Sequence, residues 1–159
     1  MIVAMGLGYD CHQLVPDRPL VIGGVRIASD LGLHGHSDAD VLAHAVTDAI
    51  LGACALGDIG EHFPDTDPRY AGADSLTLLR AAAALVVAQG ATVTHVDATV
   101  VLERPRLAPS RDAMRANLAG ALGLELTQVS VKATRGEGMG FVGRGEGAAA
   151  LAVATVQRP

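Results

Sequence analysis

Tryptophan is absent from this chain, and its 159 residues include only two Phe and two Tyr, although half of them are hydrophobic. A core must therefore be assembled from Ala, Val and Leu, whose small side chains suit close approach of elements and of subunits. Cysteine is equally scarce. Cys11 and Cys54 are too few for a disulfide framework and fit a reducing compartment. The longest apolar runs, Ala81–Ala88 and Ala148–Val156, fall well short of the ~20 residues that span a bilayer. Positive charge is in deficit, with 12 Lys and Arg against 17 Asp and Glu and a net charge of −5. No basic stripe is available for nucleic acid, so any phosphate must be held by metals, backbone N–H groups and a few local Arg or Lys residues. The first residues lack a basic region and run straight into polar motif residues, so a removable signal is not expected. The expectation is one domain, residues 1–159, in the cytoplasm and with no membrane contact.

Strand-like and helix-like segments alternate. Ile2–Tyr9 reads as a strand. Leu20–Ile22 and Val25–Ile27, separated by Gly23-Gly24, read as a short hairpin, because paired glycines supply the positive φ of a tight turn. Ser37-Asp38-Ala39-Asp40 reads as a helix start, with a capping hydroxyl and acids in the first turn. Its apolar face then runs through Val41, Leu42, Ala45, Val46, Ala49 and Ile50. Asp74 caps a second helix through Gln89, stopped by Gly90. Ala91–Glu103 alternates as a strand, and a third helix runs from about Pro109 to Leu122 before Gly123. Val129–Thr134 and Ala148–Val156 are the last strands. Arg135–Gly147 holds six glycines and is expected to be irregular. The pattern predicts an α+β fold, with one mixed sheet, helices on one face and a short hairpin.

The chemistry begins at Asp10-Cys11-His12. Residues two apart on a strand share a face, so Asp10 and His12 can converge while Cys11 points away. His44, on the first helix, would complete a carboxylate and two imidazoles. That set suits Zn²⁺ with a fourth position open for an oxygen ligand. Taken alone, Asp-x-His reads as readily as a turn with a surface histidine. Asp40, His44 and Asp48 form one polar stripe, read either as a solvated face or as a site in which Asp48 orients a metal-bound His44. Asp58-Ile59-Gly60 and Phe63-Pro64-Asp65-Thr66-Asp67-Pro68 form turn-rich loops with clustered acids. Glycine-rich backbone between Thr134 and Gly147 can close around phosphate oxygens, with Glu137 beside them for a hard cation. It fits neither the Walker pattern nor the dinucleotide fingerprint.

Taken together, the chain resembles the 2-C-methyl-D-erythritol 2,4-cyclodiphosphate synthase family. The resemblance rests on Gly8 through His12, His36-Ser37-Asp38-Ala39-Asp40-Val41 through His44, Asp58-Ile59-Gly60 and Phe63 through Pro68. It continues in Arg104-Pro105-Arg106, Lys132-Ala133-Thr134 and Gly143 through Gly147. It implies a lyase of isoprene biosynthesis that converts 4-diphosphocytidyl-2-C-methyl-D-erythritol 2-phosphate to the 2,4-cyclodiphosphate and CMP. It also implies zinc on Asp10, His12 and His44, and a second cation, Mg²⁺ or Mn²⁺, on Glu137. His36, Arg135 and Glu137 take the catalytic positions. His36 and Ser37 match contacts to the substrate phosphate, Asp58 and Gly60 match contacts to its erythritol part, Phe63 and Asp65 lie in the adjoining substrate loop, and Asp10 and His12 are substrate-binding as well as metal-binding. Leu102, Arg106, Leu107, Ala108, Ala133 and Thr134 match the cytidine pocket, and Arg135 stands at a phosphate-contacting position.

The resemblance further implies a homotrimer whose sheets face a central axis, with active sites between subunits. Phe141, Arg144 and Glu146 match an axial cavity where some relatives hold an isoprenoid diphosphate. An Arg144–Glu146 pair that merely holds the glycine loop is the competing reading. Two departures concern phosphate and nucleotide contacts: Arg135 stands where relatives carry Thr, and Arg106 where Lys is usual. Two other functions stay open. One is a zinc phosphodiesterase acting on a nucleotide diphosphate, and the other a non-catalytic protein that binds CDP or an isoprenoid diphosphate.

Overall fold

A computed structural model describes residues 1–159. Strand β1 (Ile2–Pro16) opens the chain, followed by β2 (Leu20–Ile22), β3 (Val25–Ile27) and β4 (Leu31–Leu33). Helix α1 (Val41–Ala53), the short turn α2 (Ile59–His62) and helix α3 (Ser75–Ala88) come next. Strand β5 (Thr92–Val101), helix α4 (Arg111–Leu122), strand β6 (Val129–Thr134), the turn α5 (Gly140–Gly143) and strand β7 (Gly147–Arg158) complete the order. Five strands form one mixed sheet in the order β4-β1-β7-β5-β6, with only β5 and β6 parallel. β2 and β3 pair antiparallel on their own across Gly23 and Gly24, both at positive φ. The fold is α+β in a single layered unit.

Three differences from the sequence reading bear on the site. β1 does not stop at Tyr9: Asp10 to Gln13 pair with Ala150 to Gly147, and Leu14 to Pro16 then pair with β4. The metal motif therefore lies inside a strand with neighbours. The first helix starts at Val41 rather than Ser37, because the Asp40 carboxylate, not the Ser37 hydroxyl, accepts the Ala43 N–H. Asp38 and Asp40 thus precede the helix. The glycine-rich stretch is not wholly irregular, since Gly140–Gly143 form one helical turn.

The position of α1 decides the site. Gly6 and Gly8 face it, and a Cβ on Gly8 would lie 1.8 Å from the Ala45 carbonyl oxygen, one on Gly6 1.9 Å from that of Ala49. Helix and sheet therefore meet backbone to backbone, with Ala148, Ala150, Ala152 and Ala154 of β7 giving the same closeness next door. Eleven of the thirteen α1 residues are buried. The expected solvated stripe does not exist: Asp40 sits under the β2–β3 hairpin, where Gly23 and Gly24 donate their N–H groups to it at 2.8 and 2.7 Å. The other sheet face carries exposed Val3, Met5, Leu7, Tyr9, Leu151 and Val153.

Candidate metal centre and substrate cleft

β1 alternation turns Asp10 and His12 toward α1 and leaves Cys11 exposed, while α1 brings His44 over them. Asp10 Oδ2 lies 2.8 Å from His12 Nε2 and 3.1 Å from His44 Nδ1, and the two ring nitrogens are 3.2 Å apart. The outer sides of both rings are engaged. His12 Nδ1 donates to the His34 carbonyl at 2.9 Å, which turns the Nε2 lone pair inward. His44 Nε2 contacts Ser75 Oγ at 2.8 Å and Ser37 Oγ at 3.2 Å. Because the Ser75 hydroxyl gives its proton to Asp38, it accepts from His44 Nε2, so His44 Nδ1 also presents a lone pair. Three electron-rich atoms thus meet where only positive charge can hold them together. The ionisation behaviour says the same. Burial alone would raise the Asp10 carboxyl, yet the His12 and His44 imidazoles hold it below the usual range. Burial opposes charge on His12, and the Asp10 carboxylate more than reverses that. The donor set fits a divalent cation.

A cleft of about 470 Å³ opens over this centre. Its lining brings Asp10, His12, His36, Ser37, His44, Gly60, Phe63 and Asp65 together. Asp58 does not line it. Its carboxylate caps α2 by accepting the Glu61 N–H at 3.0 Å. Asp48 does not touch His44 either; it accepts the Ile59 N–H at 2.8 Å and so anchors the loop that carries Gly60. His36 shares its Nε2 with the Asp67 carbonyl at 2.9 Å, and its own carbonyl accepts from Gly72, so it fastens the loop across the cleft mouth. Tyr70 and Leu78 also line the cleft without any motif of the sequence marking them, and Ile59 lines it from within the Asp58-Ile59-Gly60 motif. Phe63 and Tyr70 pack edge to face, with ring centres 5.5 Å apart. Ser75 was legible only as part of a helix start, and Asp38 only as an acid near one.

A second hollow, of about 170 Å³, lies at the carboxyl ends of the parallel strands β5 and β6. Leu102, Arg106, Leu107, Ala108, Ala133, Thr134 and Arg135 all line it. Arg135 does not project as a free phosphate clamp. It pairs with Glu103 at 2.7 Å, and Glu103 also accepts the Gly136 N–H at 2.8 Å. Burial would raise the Glu103 carboxyl, and the Gly136 N–H and Arg135 together hold it low. Glu137 is exposed beside them, with a left-handed φ of 55°. The two hollows share no lining residue. Phe141 and Arg144 are also apart: Phe141 lines a recess with Cys11 and Gln13, and Arg144 lines another with Arg104. Arg144 pairs with Glu146 at 2.8 Å.

Residues 3–157 match the model of the YgbB family. A curated relative from Burkholderia thailandensis named 2-C-methyl-D-erythritol 2,4-cyclodiphosphate synthase is 60% identical over 154 residues, 97% of this chain and 95% of the relative. Among solved structures, the bifunctional IspDF from Campylobacter jejuni superposes with a TM-score of 0.95 at 42% identity. The match covers 99% of this chain and 43% of that longer protein. A 2C-methyl-D-erythritol-2,4-cyclodiphosphate synthase in its CDP-bound form matches at TM-score 0.88 and 38% identity, over 96% of this chain and 99% of that one.

Proposed function

The chain belongs to the YgbB family, and from that premise we propose that it performs the reaction its relatives are named for. The 2-phosphate of 4-diphosphocytidyl-2-C-methyl-D-erythritol 2-phosphate attacks the β-phosphorus of the diphosphate. A P–O bond closes the 2,4-cyclodiphosphate ring, and the bond to CMP breaks. The observation that carries this reading is the convergence of Asp10, His12 and His44 in one cleft.

Zn²⁺ is the cation we assign to that centre. Two imidazoles and one carboxylate with an open fourth position are a zinc set, and a regular site with bonds of about 2.0–2.1 Å has ligand separations of about 3.3 Å. The observed 2.8, 3.1 and 3.2 Å need to open by only tenths of an ångström. When bound, the metal supplies positive charge to substrate phosphate oxygens. Glu137 is assigned to the second cation, Mg²⁺ or Mn²⁺, which takes few protein carboxylates and completes its shell with phosphates and water.

The chain's own groups position the substrate. Ser37 Oγ accepts the Ala39 N–H at 3.2 Å, which leaves its proton for a phosphate oxygen. His36 stands beside it at the cleft wall, and Ile59, Phe63 and Leu78 offer an apolar surface to the carbon skeleton. The nucleophile is a phosphate oxygen already anionic at pH 7, so no side chain has to remove a proton. Catalysis then consists of folding the substrate for in-line attack and neutralising charge. The hollow at Leu102–Ala108 and Ala133–Arg135 takes the cytidine, with Arg135 and Glu103 at its rim.

Within one chain the metal centre on β1 and the hollow at the ends of β5 and β6 stand on either side of β7, about 10 Å apart across the sheet. That separation, with the exposed apolar face of β1 and β7, supports a homotrimer whose sheets face the axis and whose sites combine two subunits. The Arg144–Glu146 pair supports a structural role for Arg144 in the glycine loop over capture of an isoprenoid diphosphate. Incubation with the cytidine-diphospho substrate and Mg²⁺, followed by mass spectrometry, tests the reaction. CMP with a cyclic diphosphate is expected. An open bisphosphate, one water heavier, would make the chain a phosphodiesterase, and CDP binding without CMP release would make it a non-catalytic binder.

A further inference from the structure

Ser75 is completely buried at the first turn of α3, yet it reaches the metal centre from outside. Its Oγ lies 2.8 Å from His44 Nε2 and donates to Asp38 Oδ1, while its backbone N–H donates to Asp38 Oδ2 at 3.1 Å. Asp38 thus grips one residue with both carboxylate oxygens, at the positive end of a fourteen-residue helix. A hydroxyl has a single proton. Once Asp38 takes it, Ser75 must accept from His44, and the imidazole is locked as the tautomer with its proton on Nε2 and its lone pair on Nδ1. Nδ1 is the atom that faces Asp10 Oδ2 at 3.1 Å.

We propose that Asp38 and Ser75 are positioning residues for the metal centre: a hydrogen-bonded relay, Asp38 to Ser75 to His44, that sets the tautomer and orientation of the His44 ligand. The inference rests on the assignment of Zn²⁺ to Asp10, His12 and His44. His12 has only a neutral carbonyl, that of His34, behind its ring, so the two imidazoles are unequally supported. The carboxylate behind His44 pulls on its Nε2–H through the hydroxyl and makes Nδ1 the stronger donor. Asp48, the acid one turn further along α1, is spent on the Ile59 N–H and takes no part. Ser37, 3.2 Å from the same Nε2, is the weaker partner, because the single Nε2–H points at the nearer Ser75 oxygen. The relay also ties the start of α3 to the metal.

Zn²⁺ affinity, measured by competition with a chromophoric chelator on otherwise intact protein, tests this. Ser75→Ala and Asp38→Asn should each weaken Zn²⁺ binding roughly tenfold to a hundredfold. Co²⁺ placed in the same site should show visible absorption bands altered from those of the parent. Asp74→Ala is the control. It removes the cap that accepts the Leu76 N–H at 2.9 Å, and so weakens the same helix end without touching His44. It should leave Zn²⁺ affinity within about twofold of the parent. Parental affinity and cobalt spectrum in both relay variants would overturn the inference and leave the zinc assignment standing. Equal losses in Asp74→Ala would overturn it too, by reducing Ser75 to a prop for α3. A parent protein that takes up no stoichiometric Zn²⁺ would overturn the zinc assignment and the relay with it.

Discussion

Single side chains divide the labour at this centre, and the division is measurable. His44→Ala should lose Zn²⁺ and CMP release together, with turnover falling by roughly 10²–10³-fold or more. Glu137→Gln should retain Zn²⁺ and CDP binding while losing most of kcat and much of the Mg²⁺ dependence, since Glu137 lies apart from the Asp10–His12–His44 cluster. Metal analysis beside a CMP-release assay checks both, and zinc stripped by Glu137→Gln would refute the separation. Asp40 gives a pH prediction. Complete burial pushes its carboxyl up to about 6, against the lowering effect of N–H donors from Ala43, Gly24 and Gly23. An unfolded Asp titrates near 3.9, so the folded chain holds this proton more tightly. The stability this confers is fully present below about pH 4 and is lost as pH rises through about 6, a change of about 3 kcal/mol. Asp40→Asn has no such proton. Urea unfolding at pH 4 and pH 7 should therefore show the parent's stability, relative to Asp40→Asn, falling by that amount. A flat or rising difference would contradict it. The ligand triad was legible because a strand period and one helix residue suffice to state it. Ser75 was not, because its partners Asp38 and His44 lie 37 and 31 residues away and the same residue serves as an ordinary helix start.

At the scale of elements, the site depends on how closely α1 approaches β1. Gly8→Ala would force a methyl group into the Ala45 carbonyl, backbone that cannot swing aside. We expect a loss of about 3 kcal/mol or more, with zinc lost as His44 withdraws from Asp10 and His12. Urea unfolding and metal content read both effects, and a variant with parental midpoint and zinc would show that the contact is not required. Helix ends were legible where a local signal marks them, as at Asp74 and at Gly123 with its φ of 68°. The start of α1 was misplaced by four residues, since Asp40 wins the capping role through hairpin donors far away in sequence. The reach of β1 to Pro16 was likewise hidden, because its last residues are strand only by virtue of β4 and β7. Polarity along α1 suggested a solvated stripe, and only tertiary packing puts all three residues of that stripe to internal use.

For the whole molecule, the proposed trimer rests on the arrangement of the two hollows and the bare sheet face. Light scattering should give a mass near three times the 16.2 kDa of one chain, and a stable, active monomer would contradict the shared site. The sequence carried this through resemblance and through the small apolar residues of β7, which serve the internal helix contact and the outer face alike. In the proposed reaction the attacking oxygen belongs to the substrate and not to water, and running it in ¹⁸O-water reads this directly. CMP and a 2,4-cyclodiphosphate whose mass is unchanged by the labelled solvent are expected. An open bisphosphate carrying one ¹⁸O atom would contradict it.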